Sequence, residues 1–276
     1  MKFFLGYYHS YHQDLSPLCF SAVHRAYGNV YPGECMLDSG AYTDRLRRRL
    51  STTEALNRQL EWENRRKKAW GSSFRASHLV AYDALMNHTG KDRVDARDKI
   101  RQTIEAAVFF DRHRHELAPR TLILPIQGST QKQYLDCARA VLASSRPGDW
   151  LGLGGWCILG RHKRLFPNFR KLLAHLTPLV ARNGITHIHL FGVFWTPALA
   201  MLQYYCDQHG LTCSTDSGSP HVNLLAKTPS FIEHGGLIDN VRHWREKLNN
   251  LATHPDYVFE ANLPTWRRQH HLHDGS

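Results

Sequence analysis

The chain has 276 residues, 42% of them hydrophobic and 21% charged, with a formal net charge of +11 and 19 histidines besides. This length and balance suit one large domain with a full core and exclude a disordered or fibrous chain. The longest apolar runs are too short or too interrupted to span a bilayer, and residues 1–8 are too short for a secretory signal, so a cytoplasmic protein is expected.

In chain order, a first strand is predicted at Lys2–Tyr7 and a second at Cys35–Leu37, leading into Asp38-Ser39-Gly40-Ala41-Tyr42. The basic segment Thr43–Arg75 follows, with Arg47, Arg48, Arg49, Arg65, Arg66, Lys67 and Lys68 interleaved with Trp62, Trp70 and Phe74. It reads as helices inserted after the second strand. Basic residues among aromatics suit a nucleic-acid groove with stacking surfaces, and equally suit a solvated helix face above core aromatics. His78–Tyr82 is a strand ending at Asp83, and Asp95–Arg112 has the helical spacing of Ile100, Ile104, Ala107 and Val108. Strand Thr121–Ile126 ends at Gln127-Gly128, and helix Gln131–Ala143 precedes strand Trp150–Leu153, which ends at Gly154-Gly155. Helix Phe169–Ala181 leads to strand Thr186–Phe191, ending at Gly192. Helix Thr196–His209, with Pro197 at its start, leads to strand Leu211–Ser214 and Asp216. Val222–Leu225 offers an eighth strand, and the residues from Phe231 read as a packing helix and a tail.

Strands and helices alternating this often predict parallel β-structure with right-handed crossovers. Polar motifs at the C-terminal strand ends favour a single (β/α)8 barrel over residues 1–276. An open doubly wound sheet would carry a Gly-rich phosphate loop, which the sequence lacks.

Asp38 and Asp216 end two different strands, and two carboxylates facing each other across a sugar can cleave and remake a glycosidic bond. An Asp in such a place also serves as a helix N-cap. Asp83, Gln127-Gly128, Gly154-Gly155 and Gly192 add a carboxylate, an amide and bare backbone, which match the donor and acceptor edge of guanine. Tyr42 and Phe191 are candidates to sandwich a flat base, whereas Trp156, Phe194 and Trp195 read as packing. The six cysteines show no metal or disulfide spacing and read as reduced thiols. The excess of basic charge favours a polyanionic partner.

The ordered series Asp-Ser-Gly-x-Tyr, strand-end Asp, Gln-Gly, Gly-Gly, Phe-Gly and a late Asp resembles the tRNA-guanine transglycosylase superfamily. The chain length and the Thr-Asp-Ser setting of Asp216 are more similar to its DNA-directed branch, the deoxypurine-in-DNA protein A group. The resemblance covers about residues 2–220. It implies a barrel, Asp216 as nucleophile, Asp38 as general acid/base, guanine recognition by Asp83, Gln127 and Gly155, and stacking by Tyr42 and Phe191. It implies DNA as substrate, with tRNA the alternative, a 7-deazaguanine base as co-substrate, and accessory DNA-modification proteins as possible partners. Ala41 departs from the family's Asp-Ser-Gly-Gly turn. The zinc site of the tRNA enzymes is not evident, since no Cys follows Cys213 and the late histidines lack ligand spacing. No metal or other cofactor is expected.

Overall fold

The computed structural model describes residues 1–6, 16–24, 33–44, 48–86, 95–217 and 236–263. Eight parallel strands close into a barrel in chain order: β1 (Lys2–Gly6), β2 (Leu18–Ser21), β3 (Cys35–Asp38), β4 (His78–Val80), β5 (Thr121–Ile126), β6 (Trp150–Leu153), β7 (His187–Leu190) and β8 (Thr212–Ser217). Closure comes from β1 pairing with β8, Lys2 opposite Ser214 through Leu5 opposite Ser217. The barrel expected from the sequence is therefore present, but its eighth strand is Leu18–Ser21, which sequence reading missed. Residues 222–225 and Arg47 lie outside the described residues.

Alternate strand residues divide the apolar core in two, as a closed sheet requires. Phe4, Cys19, Met36, Val80 and Ile123 form an inner cluster, with Trp150 and Phe191 packed on it. Phe3, Leu5, Leu18, Phe20, Leu37, Leu79, Leu124, Leu151, Ile188 and Leu190 belong to the larger outer core beneath the helices. Strands buried on both faces read as the near-continuous apolar runs seen in the sequence.

Helix α1 (Thr52–Trp70) starts with a capping box in which Ser51 accepts from the Glu54 N–H and Glu54 accepts from the Ser51 N–H at 2.7 Å. With β2 counted, this basic helix follows the third strand rather than the second, and it is the crossover joining β3 to β4. Its Ala55, Leu56, Gln59, Trp62 and Glu63 are buried, and Gln59 donates to the carbonyls of Leu37 and Val80. Trp62, Trp70 and Phe74 pack with Phe20 at ring separations of 4.7–6.4 Å. These aromatics are core, so the stacking-surface reading of this segment does not hold.

The remaining crossover helices are α2 (Ala96–Arg112), α3 (Gln131–Leu142), α4 (Phe166–Arg182) and α5 (Thr196–Asp207), followed by α6 (Gly236–Asn249) and α7 (Pro255–Asn262). Glu260 of α7 is 2% exposed, pairs with Arg170 of α4 at 2.6 Å and accepts from the Tyr205 hydroxyl of α5. That clamp fastens the C-terminal helices to the barrel wall. No described helix is long and apolar enough to cross a membrane.

A second buried pair ties α1 to the start of β5. Glu63 accepts from Arg120 Nε at 2.9 Å and from the Ala76 N–H, and both side chains are almost wholly buried. Replacing Glu63 with Gln leaves the Arg120 charge uncompensated inside. The substitution is expected to lower stability by about 3–5 kcal/mol, measured by urea denaturation. A loss within error of zero would show the pair to be dispensable.

Candidate active site

The three carboxylates singled out in the sequence converge at the C-terminal ends of the strands. Asp38 is the last residue of β3, Asp83 follows β4 by three residues, and Asp216 is the penultimate residue of β8. Their mutual repulsion is felt at Asp38, whose carboxyl is raised to about 7, first by burial and then by the charges of Asp216 and Asp83. The Gly40 N–H, donating to Asp38 Oδ2 at 2.9 Å, opposes that shift. Gly40 has φ +85°, and a Cβ there would lie 2.7 Å from Val23 and 2.9 Å from Arg58, so this turn requires glycine. Arg58 is itself held by two bonds to Asp44, at 2.8 and 2.9 Å.

Asp216 is anchored differently. Its Oδ1 accepts from the Gly192 N–H at 3.0 Å and faces His189 Nε2 at 3.0 Å. Its side chain is 19% exposed, and among the described residues no donor reaches Oδ2. Behind it runs a chain of polar groups that sequence reading missed, buried at His189, Ser214 and His187 and ending at exposed Thr212. His189 Nδ1 lies 2.8 Å from Ser214 Oγ, Ser214 Oγ lies 2.6 Å from His187 Nε2, and His187 Nδ1 lies 2.7 Å from Thr212 Oγ1. His187, Ser214, His189 and Asp216 thus form one continuous hydrogen-bonded column from the barrel interior to the rim. Burial holds the His187 imidazole neutral, its pKa pushed down to about 2. The signal was a period of two: His187, His189 and Phe191 alternate in step with Thr212, Ser214 and Asp216.

Asp83 and Gln127 form the second group. Gln127 is fully buried, its Nε2 donates to Asp83 Oδ2, and its Oε1 accepts from the Met86 N–H at 3.3 Å. Burial raises the Asp83 pKa as well, against the Gln127 hydrogen bond. A Cβ on Gly154 would come within 2.0 Å of Gln127 Nε2, so the amide lies flat on that glycine. Both backbone groups of Gly154 are engaged, the N–H with Ile126 at 3.2 Å and the carbonyl with the Tyr134 hydroxyl at 2.8 Å. Gly155, at φ +82°, would clash with the Met86 carbonyl and Tyr134 if it carried a Cβ. Gly128 packs against the backbone N of Tyr134 in the first turn of α3, a packing position beside the site.

Phe191 is half-buried, meets His189 edge-on at 4.7 Å and lies over Gly152, whose Cβ would be 2.4 Å from its ring. It forms a floor above the inner cluster. Tyr42, in a one-turn helix at Ala41–Asp44, is 55% exposed. Trp156, Phe194 and Trp195 pack on Tyr134, Trp244 and Phe166, as the sequence suggested. A cavity of about 320 Å³ lies between the starts of α3 and α4, lined by Ser129, Gln131, Trp156 and Asn168 among others and by none of the three carboxylates.

The basic residues of Thr43–Arg75 separate. Arg49 is at the rim, donating to the Asp83 carbonyl at 2.6 Å, and exposed Arg48 pairs with Glu54 at 2.9 Å. Arg65, Arg66, Lys67 and Lys68 lie near the end of α1, which runs antiparallel to the strands. With a rise of 1.5 Å per residue they sit about 20 Å along the axis from its start, at the opposite end of the barrel from the carboxylates. Among the described residues no cluster of His, Cys, Asp and Glu could hold a metal.

No family model and no curated protein matches the chain. Among solved structures, one assigned as a fructose-1,6-biphosphate aldolase from Coccidioides immitis aligns at 12% identity over 91% of this chain and 88% of its own length, with a TM-score of 0.45.

The raised Asp38 pKa has a signed consequence for stability. The folded chain keeps this proton up to about pH 7, whereas an unfolded Asp loses it near 3.8. Stability from this group is therefore full below about pH 4 and falls as pH rises toward 7. Asp38→Asn removes that loss and should gain on the order of 3 kcal/mol over the parent between pH 4.5 and pH 8. Parallel urea curves at the two pH values test this, and an unchanged difference would contradict it.

Proposed function

We propose that this chain is a DNA guanine transglycosylase, an enzyme exchanging guanine in DNA for a 7-deazaguanine base through a covalent aspartyl intermediate. The observation that carries the reading is the unlike setting of two neighbouring carboxylates: Asp216 with one oxygen gripped and the other open, Asp38 retaining a proton close to neutrality. The target nucleotide is flipped out of the duplex to reach the barrel mouth.

Asp216 Oδ2 attacks C1′ as the C1′–N9 bond breaks through an oxocarbenium-like transition state. Asp38 gives its proton to the departing guanine. The Gly192 N–H and His189 hold Oδ1 throughout, which fixes the direction of attack. The incoming base, 7-cyano-7-deazaguanine or a relative, then loses its N9 proton to the Asp38 carboxylate. Its N9 forms the new bond to C1′ and Asp216 is released. Two displacements at one carbon retain configuration.

Guanine-edge recognition falls to Asp83, Gln127 and the Gly155 amide. One Gln127 N–H is spent on Asp83, which fixes the orientation of the amide; its second N–H and the Gly155 N–H remain to donate to the guanine carbonyl. Phe191 supplies a flat floor and Tyr42 a cover. The formal charge of +11 suits a polyanionic substrate.

The testing experiment is base exchange: purified protein with radiolabelled guanine in duplex DNA or in tRNA, plus unlabelled 7-cyano-7-deazaguanine. Guanine is expected to be released from DNA, and Asp216→Asn should slow release by about 10³-fold or more. Release from tRNA alone would keep the chemistry and change the substrate; release from neither would refute the proposal. The two half-reactions should also differ in pH dependence. Guanine release without incoming base needs protonated Asp38 and should decline as pH rises through about 7, whereas insertion into the isolated intermediate should rise over the same range. Identical profiles would remove Asp38 from that role.

A further inference from the structure

We infer that the nucleic acid is held by the loop between β6 and α4, where Arg161, Lys163 and Arg164 contact its phosphates. The inference rests on the reading of the barrel mouth as a nucleic-acid site and assigns the backbone contact within it. The exposed cations near the end of α1 cannot serve the same substrate, because they face the opposite end of the barrel.

Three independent observations point to this loop. The first is position. The segment leaves the C-terminal end of β6 and passes beside the residue that grips Asp216: a Cβ on Gly192 would lie 3.1 Å from Cys157 Cβ. Farther along, a Cβ on Gly160, next to Arg161, would lie 3.7 Å from Trp195 Cβ.

The second is order. Leu159 is fully buried, and its N–H donates to the Trp156 carbonyl at 3.0 Å. The His162 N–H bonds the Ile158 carbonyl, the Leu165 N–H bonds the His162 carbonyl, and the Phe166 ring meets Trp195 edge-on at 5.0 Å. The basic residues thus project from a backbone fixed on both sides, so little ordering entropy opposes binding.

The third is unbalanced charge. From Trp150 to Cys206 the sequence contains no Asp or Glu. Arg170 within this stretch finds its partner in Glu260. Arg161, Lys163 and Arg164 are exposed and make no ion pair among the described residues. Some surface cations on other helices are paired locally, Arg101 with Glu105, Lys132 and Arg139 with Asp136, and Arg242 with Asp239, and others such as Arg97, Arg112 and Arg182 stand singly among the described residues; Arg161, Lys163 and Arg164 differ in being clustered. An uncompensated cluster of guanidinium and ammonium groups at a site rim attracts phosphates, and guanidinium forks bind them well.

The test measures binding of the full chain to a short fluorescein-labelled guanine-containing duplex across a salt series, in an Asp216→Asn background that prevents turnover. In that background, Arg161→Gln/Lys163→Gln/Arg164→Gln should bind at least about 10-fold more weakly at low salt. Its slope of log affinity against log salt should be shallower by about 2–3, close to 0.9 for each phosphate left without its cation. Arg65→Gln/Lys67→Gln/Lys68→Gln, with the same charge removed at the far end, should stay within about 2-fold of the background. Arg161→Lys/Arg164→Lys should keep most of the affinity, which a packing defect would not. Equal losses in the two triple variants, or a loop variant that binds like its background, would overturn the inference while leaving the base-exchange chemistry standing. Failure of the unsubstituted chain to bind either DNA or tRNA would overturn both.

Discussion

The site depends on one constraint, the two-residue period of strands in a closed barrel. Once Asp216 faces the interior at the rim, Ser214 and Thr212 must face it below, and on the neighbouring strand so must Phe191, His189 and His187. The column of hydrogen bonds beneath Asp216 is therefore a product of register: β7 and β8 pair His189 with Ser214 and Leu190 with Thr215. Of these, His187, His189 and Ser214 are buried, and burial without partners would cost several kcal/mol. The barrel accommodates them because each ring nitrogen of His187 and His189 meets an oxygen.

The same economy explains why the carboxylates differ. Asp216 is held by a backbone amide and an imidazole at a single oxygen. Asp38 has one backbone donor, from Gly40, and sits where burial and two like charges favour its neutral form. Asp83 is bound up with Gln127 and, through its carbonyl, with Arg49. Three identical side chains at the same rim of the barrel are thus set apart by the donors around each one, and those donors come mostly from glycine-rich turns and from neighbouring strands.

Much of the fold was legible because strand and helix alternate in the sequence, and each strand ends in residues too polar for the core. Leu18–Ser21 escaped because four residues with one polar member carry too little periodic signal. Missing it displaced the basic segment by one strand and made a crossover helix look like an insertion. Asp38, Asp83, Gln127 and Asp216 were legible as strand-end polar residues. The aromatics of α1 were misleading because composition says nothing of facing. Trp62 belongs to the helix's buried stripe with Ala55, Leu56 and Gln59, while Arg65 and Lys68 lie on the other side. Nor does composition give axial position, so one basic segment contributes residues to both ends of the barrel. His189 and Ser214 lie within short, mostly apolar runs, and only the register of β7 against β8 brings them together.

Closure by the first and last strands has a consequence for synthesis on the ribosome. β1 pairs on one side with β2 and on the other with Ser214–Ser217, more than 200 residues later. At about 5–20 residues per second, the nascent chain carries that unpaired edge for roughly 10–40 s before its partner has been made. Neither Phe4 nor the histidine column has an enclosed interior until then. An apolar edge exposed for so long is open to intermolecular pairing until the last strand arrives to cover it.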